Sequence, residues 1–385
     1  MQTMQPSVTL GSYTWAQDRL PIDEFTLRLE DLNAAMDRNG WKAVLAYGDV
    51  REHAALAFLS NFIPRVRWGM ALLPRSGDAR LVCAMSTRDL PAMRGLTWVA
   101  DARSGMGPEW VKSFDPWFEQ FKSEGSVNLG TLGFDFMAPV LFQSVRRSLG
   151  ERFVLQRADD ILDLASRAKR PRELTMIRAS CKVLDAAAKT FVESWRKNHA
   201  PETAALDAER VARSLAAQDV RTLVSLDGGR TLVPYHGLFE QKAGPLVGYI
   251  AVKMAGYWAD TFVTINDGDA GPAAKHAAAA LDALIAAMRP GVSAAKLHTV
   301  AAEALRPFAL HPVLGESVGH GIGLSLHERP ALCAMEDAAL AEDGVYTLQV
   351  GSADAKADPV LISAIVRNTR TGAEVLTRSP PVGTA

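Results

Sequence analysis

His320 and His327 are the residues whose type and spacing most clearly suit chemistry. They bracket Gly319-His320-Gly321-Ile322-Gly323-Leu324-Ser325-Leu326-His327-Glu328, in which glycines let the backbone approach a ligand closely. Imidazole is the side chain best able to take and return a proton near neutral pH, and it is also a common metal ligand. The other histidines, His53, His199, His276, His298 and His311, sit in no comparable pattern and read as ordinary core or surface residues.

The elements that must position these groups follow from periodicity. A length of 385 residues exceeds one ordinary core and suits two domains. From Pro21 the chain alternates helix and strand: a helix over Glu24 to Asn39, strands at Lys42 to Tyr47, Gly69 to Pro74, Ala79 to Met85 and Leu132 to Phe136, and helices at Asp115 to Glu124 and Pro139 to Leu149. That is a small α/β domain over residues 23–165, preceded by an arm, residues 1–22. Arg51, His53, Arg65, Arg67 and Trp68 in it read as surface or interface residues. A basic hinge, Arg167 to Arg172, opens residues 166–385. A long helix follows, its apolar stripe formed by Leu174, Ile177, Cys181, Leu184, Ala188, Phe191 and Trp195. Helices over Glu202 to Gln218 and Pro272 to Met288 come next, and Ser293 caps another that ends near Leu305. The alanine run from Ala273 to Ala280 reads as a tightly packed helix.

Hydrophobic residues at 48% suffice for burial, and a formal net charge of −1 gives no reason to expect a polyanion, so nucleic acid is not an expected partner. No charged-then-apolar leader opens the sequence and no apolar run approaches the roughly 20 residues that span a bilayer. Cys83, Cys181 and Cys333 lack metal-type spacing and cannot all pair, so each is expected to be a buried thiol in a reducing compartment. The expectation is a cytoplasmic protein with no membrane partner.

Three segments in order, Ala255 to Asp260, Gly319 to Pro330 and Gly372-Ala373-Glu374-Val375-Leu376-Thr377, resemble the pita-bread family of creatinase, prolidase, aminopeptidase P and methionine aminopeptidase. The resemblance implies a small creatinase-type N-terminal α/β domain and a C-terminal α+β pita-bread domain built on a pseudo-symmetric duplication. In metal-dependent members two divalent cations are held by Asp, Asp, His, Glu and Glu. By that correspondence the first Asp position is Tyr249, eleven residues before Asp260, which holds the second and is thereby expected to orient or charge His320, since a carboxylate beside an imidazole fixes its tautomer and favours the protonated ring. His320 matches the single His, the Thr-Ile-Glu-Pro motif reads Thr347-Leu348-Gln349-Val350, and the last Glu falls on Ser363.

Hard cations need several anionic oxygens, so no catalytic metal and no cofactor are expected. A single zinc on His320, Asp260 and either His236 or His327 is the lesser alternative. The resemblance to creatinase, which works with an active-site His and without metal, places His236, in the segment Asp227 to Gly237, as general base and acid. Gln349 is expected to donate to a substrate oxygen, His327 to stabilise developing charge or the leaving group, and Tyr249 to shape the pocket. Phe262 replaces a creatinase-type glutamate, which argues against a guanidinium substrate, while Arg230 and Arg329 favour a carboxylate-bearing one. The expected function is a metal-independent, creatinase-like, non-peptidase hydrolase of a C–N bond in a small molecule, with a lyase or a peptide-binding module as alternatives. A homodimer is implied by the resemblance.

Overall fold

The computed structural model describes residues 15–105, 110–121, 123–235, 244–266, 268, 270–354 and 357–383. The chain divides into two units, Met1–Ser166 and Arg167–Ala385. The N-terminal unit is built on a six-stranded sheet of β1 (Ala43–Asp49), β2 (Trp68–Pro74), β3 (Arg80–Cys83), β4 (Asp101–Ser104), β5 (Val127–Leu132) and β6 (Phe153–Arg157), in the order β4-β3-β2-β1-β5-β6. Its helix Ile22–Asn39 ends at Gly40, whose left-handed φ of 65° lets the chain turn off the last helical carbonyls. Trp15 stacks edge-on against Phe25, and its indole N–H donates to the Leu20 carbonyl.

Two sequence expectations fail in this unit. The strand expected at Leu132 to Phe136 instead ends at Leu132: Gly133 takes a φ of 72° and a 3-10 turn covers Phe134–Phe136. The helix expected at Asp115 to Glu124 is broken into a 3-10 turn at Trp110–Phe114, a short α turn at Asp115–Phe118 and a 3-10 turn at Glu119–Phe121. Its aromatic side chains, Trp110, Phe114, Trp117 and Phe118, are buried in one cluster, and packing so many rings overrides regular helical spacing.

The C-terminal unit repeats one plan twice. Helices Pro171–Asn198 and Pro201–Ser214 precede the three-stranded sheet β7 (Asp219–Val224), β8 (Leu246–Met254) and β9 (Tyr257–Ile265). Helices Pro272–Ala287 and Ala294–Leu305 precede β10 (Ser317–Gly321), β11 (Glu328–Cys333), β12 (Val345–Ser352), β13 (Val360–Thr369) and β14 (Gly372–Arg378), ordered β11-β10-β12-β13-β14. Ser293 caps its helix by accepting from the Lys296 N–H. The Thr264 hydroxyl stitches the two sheets together, donating to the Leu361 carbonyl at 2.7 Å and accepting from the Leu361 N–H at 2.9 Å.

Side chains alternate across a strand, and that alternation makes the site. On β12, Tyr346, Leu348 and Val350 enter the apolar core with Ala277, Leu281 and Leu284 of helix Pro272–Ala287. The intervening Thr347 and Gln349 face the other way. On β9 the same rule puts Trp258, Asp260 and Phe262 on one face. Tyr257, on the opposite face, bonds back to the long helix through Ser180, which donates to its carbonyl, and through its own hydroxyl, which donates to Glu173.

Cys83 and Cys181 are buried, whereas Cys333 is only half-buried at the end of β11, so the expectation of three buried thiols holds for two. Among the described residues no helix is long and apolar enough to cross a membrane.

Candidate active site

Asp260 is the centre of the polar face. It is fully buried, and its carboxylate is saturated by neutral donors: Thr347 Oγ1 donates to Oδ1 at 2.7 Å, while Tyr249 Oη at 3.2 Å and Gln349 Nε2 at 3.3 Å both donate to Oδ2. Register explains the convergence. Tyr249 pairs with Phe262 across β8 and β9, and Thr347 pairs with His320 across β12 and β10. Burial pushes the Asp260 carboxyl up to about 6, against the downward pull of the Thr347 hydroxyl, the His327 ring and the Tyr249 phenol. Burial, then the adjacent Asp260 charge, drives the Tyr249 phenol well above its ordinary range, so it keeps its proton and remains a donor.

His320 does not stand to Asp260 as the sequence suggested. Its Nε2 lies 3.9 Å from Asp260 Oδ2, too far for a hydrogen bond, and burial pushes its pKa down to about 4 despite the favourable Gly321 carbonyl and Glu328. The ring is neutral at pH 7. Its Nδ1 sits 2.9 Å from the Gly321 carbonyl, which can only accept, so the proton is on Nδ1 and Nε2 carries a lone pair. That lone pair faces Gln349 Nε2 at 3.4 Å. One carboxamide nitrogen thus links Asp260 and His320.

His327 stacks on His320 with ring centroids 4.0 Å apart and planes 28° apart, and it is exposed at the mouth of the cluster. Burial first, then the neighbouring His320 and Arg221, lower its pKa, and Asp260 acts in the opposite sense. Its loop is held from behind. The side chain of Lys169, 3% exposed, pairs with Glu328, whose other oxygen accepts from the Ser325 N–H. Gly323 makes room, since a Cβ there would come within 2.9 Å of both the Lys169 ammonium and the Glu328 carboxylate. The Gly323 carbonyl accepts from the Trp258 N–H at 2.7 Å, fastening the loop to β9. Gly319 has a φ of 145°, and a Cβ there would overlap the Thr347 carbonyl oxygen, so glycine is what lets β10 close against β12.

The remaining expected residues divide. Phe262 packs its ring 5.1 Å from Tyr249, in an apolar cluster with Val247, Leu314 and Leu361, against which Leu232 also lies. Ser363 is fully buried, and its hydroxyl is engaged with Thr261, the Phe262 N–H and Ser379. That hydroxyl joins β9 to β13. Arg230 lies away from the cluster, exposed on the loop organised by Asp227 and lining a cleft of about 460 Å³ with Asp358 and Pro359. Arg329 is exposed two residues beyond His327. His236 lies outside the described residues. His311, read as an ordinary residue, is a satisfied core histidine that bonds the Gly229 carbonyl and the Val313 N–H.

Sequence reasoning missed Thr347 as the shortest donor to Asp260, Lys169 as the anchor of the histidine loop, and Arg221. No sequence signal marked Arg221, because the row it forms with Ala251 and Asp260 across β7, β8 and β9 exists only in the strand register.

The five positions matched to the family's cation ligands hold Tyr249, Asp260, His320, Gln349 and Ser363. They offer one carboxylate, already accepting three side-chain hydrogen bonds, one neutral imidazole, and neutral phenol, amide and hydroxyl groups. That donor set does not fit a pair of hard divalent cations. Among the described residues no group of three or more His, Cys, Asp or Glu is placed to hold a metal ion.

Residues 175–367, about half of the chain, match the profile of Metallopeptidase family M24. The chain belongs to that family. Over 349 residues it is 21% identical to a protein of Pyrococcus horikoshii named Xaa-Pro dipeptidase, covering 88% of this chain and 96% of the relative. Over 279 residues it is 23% identical to the Xaa-Pro dipeptidase of Pyrococcus furiosus, covering 70% of this chain and 78% of that one. In three dimensions it is similar to the prolidase from Pyrococcus horikoshii OT3, with a TM-score of 0.73 at 18% identity over 91% of this chain and 98% of that one. The architecture is therefore the two-domain pita-bread fold, with a small N-terminal domain. The expectation of a metal-independent, creatinase-like, non-peptidase hydrolase, with its lyase and peptide-binding alternatives, is overturned by these likenesses to dipeptidases. Altered side chains at three of the five ligand positions, Tyr249, Gln349 and Ser363, do not outweigh the likeness that most of the chain carries.

Proposed function

We propose that this chain is a hydrolase of short peptides of the dipeptidase kind, with Asp260, His320, His327 and Gln349 at its reacting centre. The observation that carries the reading is the place of this buried cluster: it lies in the segment matching a peptidase family, in a chain alike over most of its length to a protein called an Xaa-Pro dipeptidase. His327 is the group able to take a proton from the water that attacks the scissile carbonyl and return it to the leaving amine as the C–N bond breaks, because it is exposed, stacked on its neighbour and held below the usual imidazole range, hence unprotonated at the start. Tyr249 and Phe262, with Leu232 and Leu314, form an apolar wall on the side of Asp260 suited to a proline ring or an aliphatic side chain. Asp260, Thr347 and Gln349 hold His320 and hence the plane on which His327 rests. The reading includes the homodimer expected from the resemblance, checked by light scattering.

The test is product chromatography after incubation with Ala-Pro, Gly-Pro and Ala-Leu, using the protein as purified and again with added manganese or cobalt. Free amino acids are expected, and His327→Gln should lower the rate by at least about 100-fold, the lower end of what a lost acid/base group removes. Intact peptides under every condition overturn the proposal.

A further inference from the structure

Between helix Pro272–Ala287 and the residues that follow β14, the C-terminal unit leaves a cleft of about 540 Å³, a size within the range of small-molecule pockets. One wall is the helix, where Ala274, Ala278 and Leu281 recur at helical spacing. Two of those three end in a methyl group, so the helix presents a shallow face. Leu281 and Ile362, both buried, close the bottom. The opposite wall is Pro380, Pro381 and Val382, a strap pinned at both ends. At one end the Ser379 hydroxyl donates to the Phe262 carbonyl at 2.6 Å and accepts from the Ser363 N–H at 2.7 Å. At the other the Gly383 carbonyl accepts from the Arg196 guanidinium at 3.1 Å. The pins hold the strap off the alanines and keep the cleft open. Proline lacks an N–H, so at Pro380 and Pro381 this wall has no amide donor that an apolar occupant would leave unsatisfied.

The charged side chains that line this apolar trough are both cations. Arg378 is answered by Asp282 at 2.8 Å. Lys275 is exposed at the rim and pairs with no carboxylate among the described residues. It stands in the first turn of its helix, a turn without an acidic residue, where the helix dipole adds positive potential. Lys275 and Asp282 are separated along the helix by about 10 Å at the usual rise per residue. The unanswered cation therefore lies toward one end of the trough and the neutralised pair toward the other. We infer that the cleft binds a free medium-chain alkanoate, an unbranched hydrocarbon ending in one carboxylate. The carboxylate sits at Lys275, and the chain runs past Ala278 and Leu281 beneath the proline strap toward the Arg378–Asp282 pair. An anionic head group complements Lys275, whereas a cationic one is repelled there. A hydrocarbon tail suits walls that offer it no polar group to desolvate. The inference stands apart from the peptide reading of the Asp260 cluster and does not depend on it.

The test is calorimetry on the full chain with hexanoate, octanoate, decanoate and dodecanoate, each below its micellar concentration, and with decanol and decyltrimethylammonium as head-group controls. Affinity is expected to rise about two- to fourfold per added methylene until the trough is full, and then to level off. Decanoate should bind more tightly than either control. Ala278→Phe, which sets a ring in the trough, should weaken decanoate by about tenfold or more. Lys275→Gln should weaken decanoate by about two- to fivefold, the size of an exposed ion pair, and leave decanol unchanged. Lys275 is a surface residue, so its variant reports on the site even where Ala278→Phe fails to fold. Absence of saturable alkanoate binding, equal affinity for decanoate and decyltrimethylammonium, or decanoate affinity unmoved by Lys275→Gln each overturns the inference. A smaller mass by light scattering for folded Ala278→Phe would assign the cleft to a second copy of the chain and overturn it as well.

Discussion

The two units use the interior of a sheet in opposite ways. Against the six-stranded sheet of the N-terminal unit lie Tyr47, Trp110, Phe114, Trp117 and Phe118, with Trp68 and Trp110 centroids 4.5 Å apart and Phe114 edge-on to Phe118 at 6.4 Å. On the polar face of β9, β10, β12 and β13 the buried groups are Asp260, Thr347, Gln349, His320 and Ser363, each held by hydrogen bonds. Rings supply stability through area and contact; buried polar groups contribute little net energy and are costly to leave unpaired. A cluster of the second kind is where function should be sought, and damage to the two regions should be separable.

The largest effect is expected in the aromatic core. Phe114→Ala should lower stability by about 3–5 kcal/mol in denaturant melts, as for other buried Phe truncations, while the folded fraction keeps its peptide-binding constants. Loss of binding in the folded fraction would erase the contrast. The next effect is on pH. The Asp260 carboxyl is raised in the folded chain to about 6, so the native state binds its proton more readily than the unfolded chain does. Its contribution to stability is present at low pH and is lost as pH rises through about 6. The His320 imidazole is lowered to about 4, so its contribution is present above the ordinary imidazole range and lost as pH falls through about 4. The two slopes oppose one another between roughly pH 4 and 6. Asp260→Asn removes one of them, and its stability relative to wild type should climb by on the order of 2–3 kcal/mol between pH 4 and 6.5 in urea melts. A flat difference would mean that Asp260 is not raised.

The smallest effect sharpens the contrast most. Thr347→Val removes the hydroxyl that donates to Asp260 Oδ1, costing about 1–2 kcal/mol of stability. With one downward influence gone, the Asp260 carboxyl rises further, so the acid limb of kcat/KM for Ala-Pro, expected near pH 6, should move to higher pH. An unmoved limb would show that some other group governs it.

How much of this could be read from residues alone depended on distance along the chain. The glycines around His320 and the Ala255-Gly256 step before Asp260 are local signals, and they singled out both residues without assigning the strands that carry them. The alanine run and the Ser293 cap were also local, and they gave the two helices behind β12. What connects Asp260 to Thr347, Lys169 to Glu328 and Arg221 to Asp260 is pairing across strands or loops 39 to 159 residues apart. One sequence does not encode that register visibly. The orientation of Asp260 toward His320 was misjudged because the sequence shows two chemically matched side chains and not the 3.9 Å gap, nor the depth that keeps the imidazole neutral.

Gly319 carries a wider consequence. Since β10 can lie against β12 only if that residue lacks a side chain, the scaffold is intolerant at Gly319 for a steric reason, whereas Gln349, two residues beyond Thr347 on β12, is held by its contacts with Asp260 and His320. A library randomised at both codons and sorted only for soluble expression should return glycine almost uniformly at 319 and, at 349, chiefly residues able to donate to the buried Asp260. The strand seam is thus fixed by shape and the polar face above it by hydrogen bonding, two constraints that a selection can tell apart.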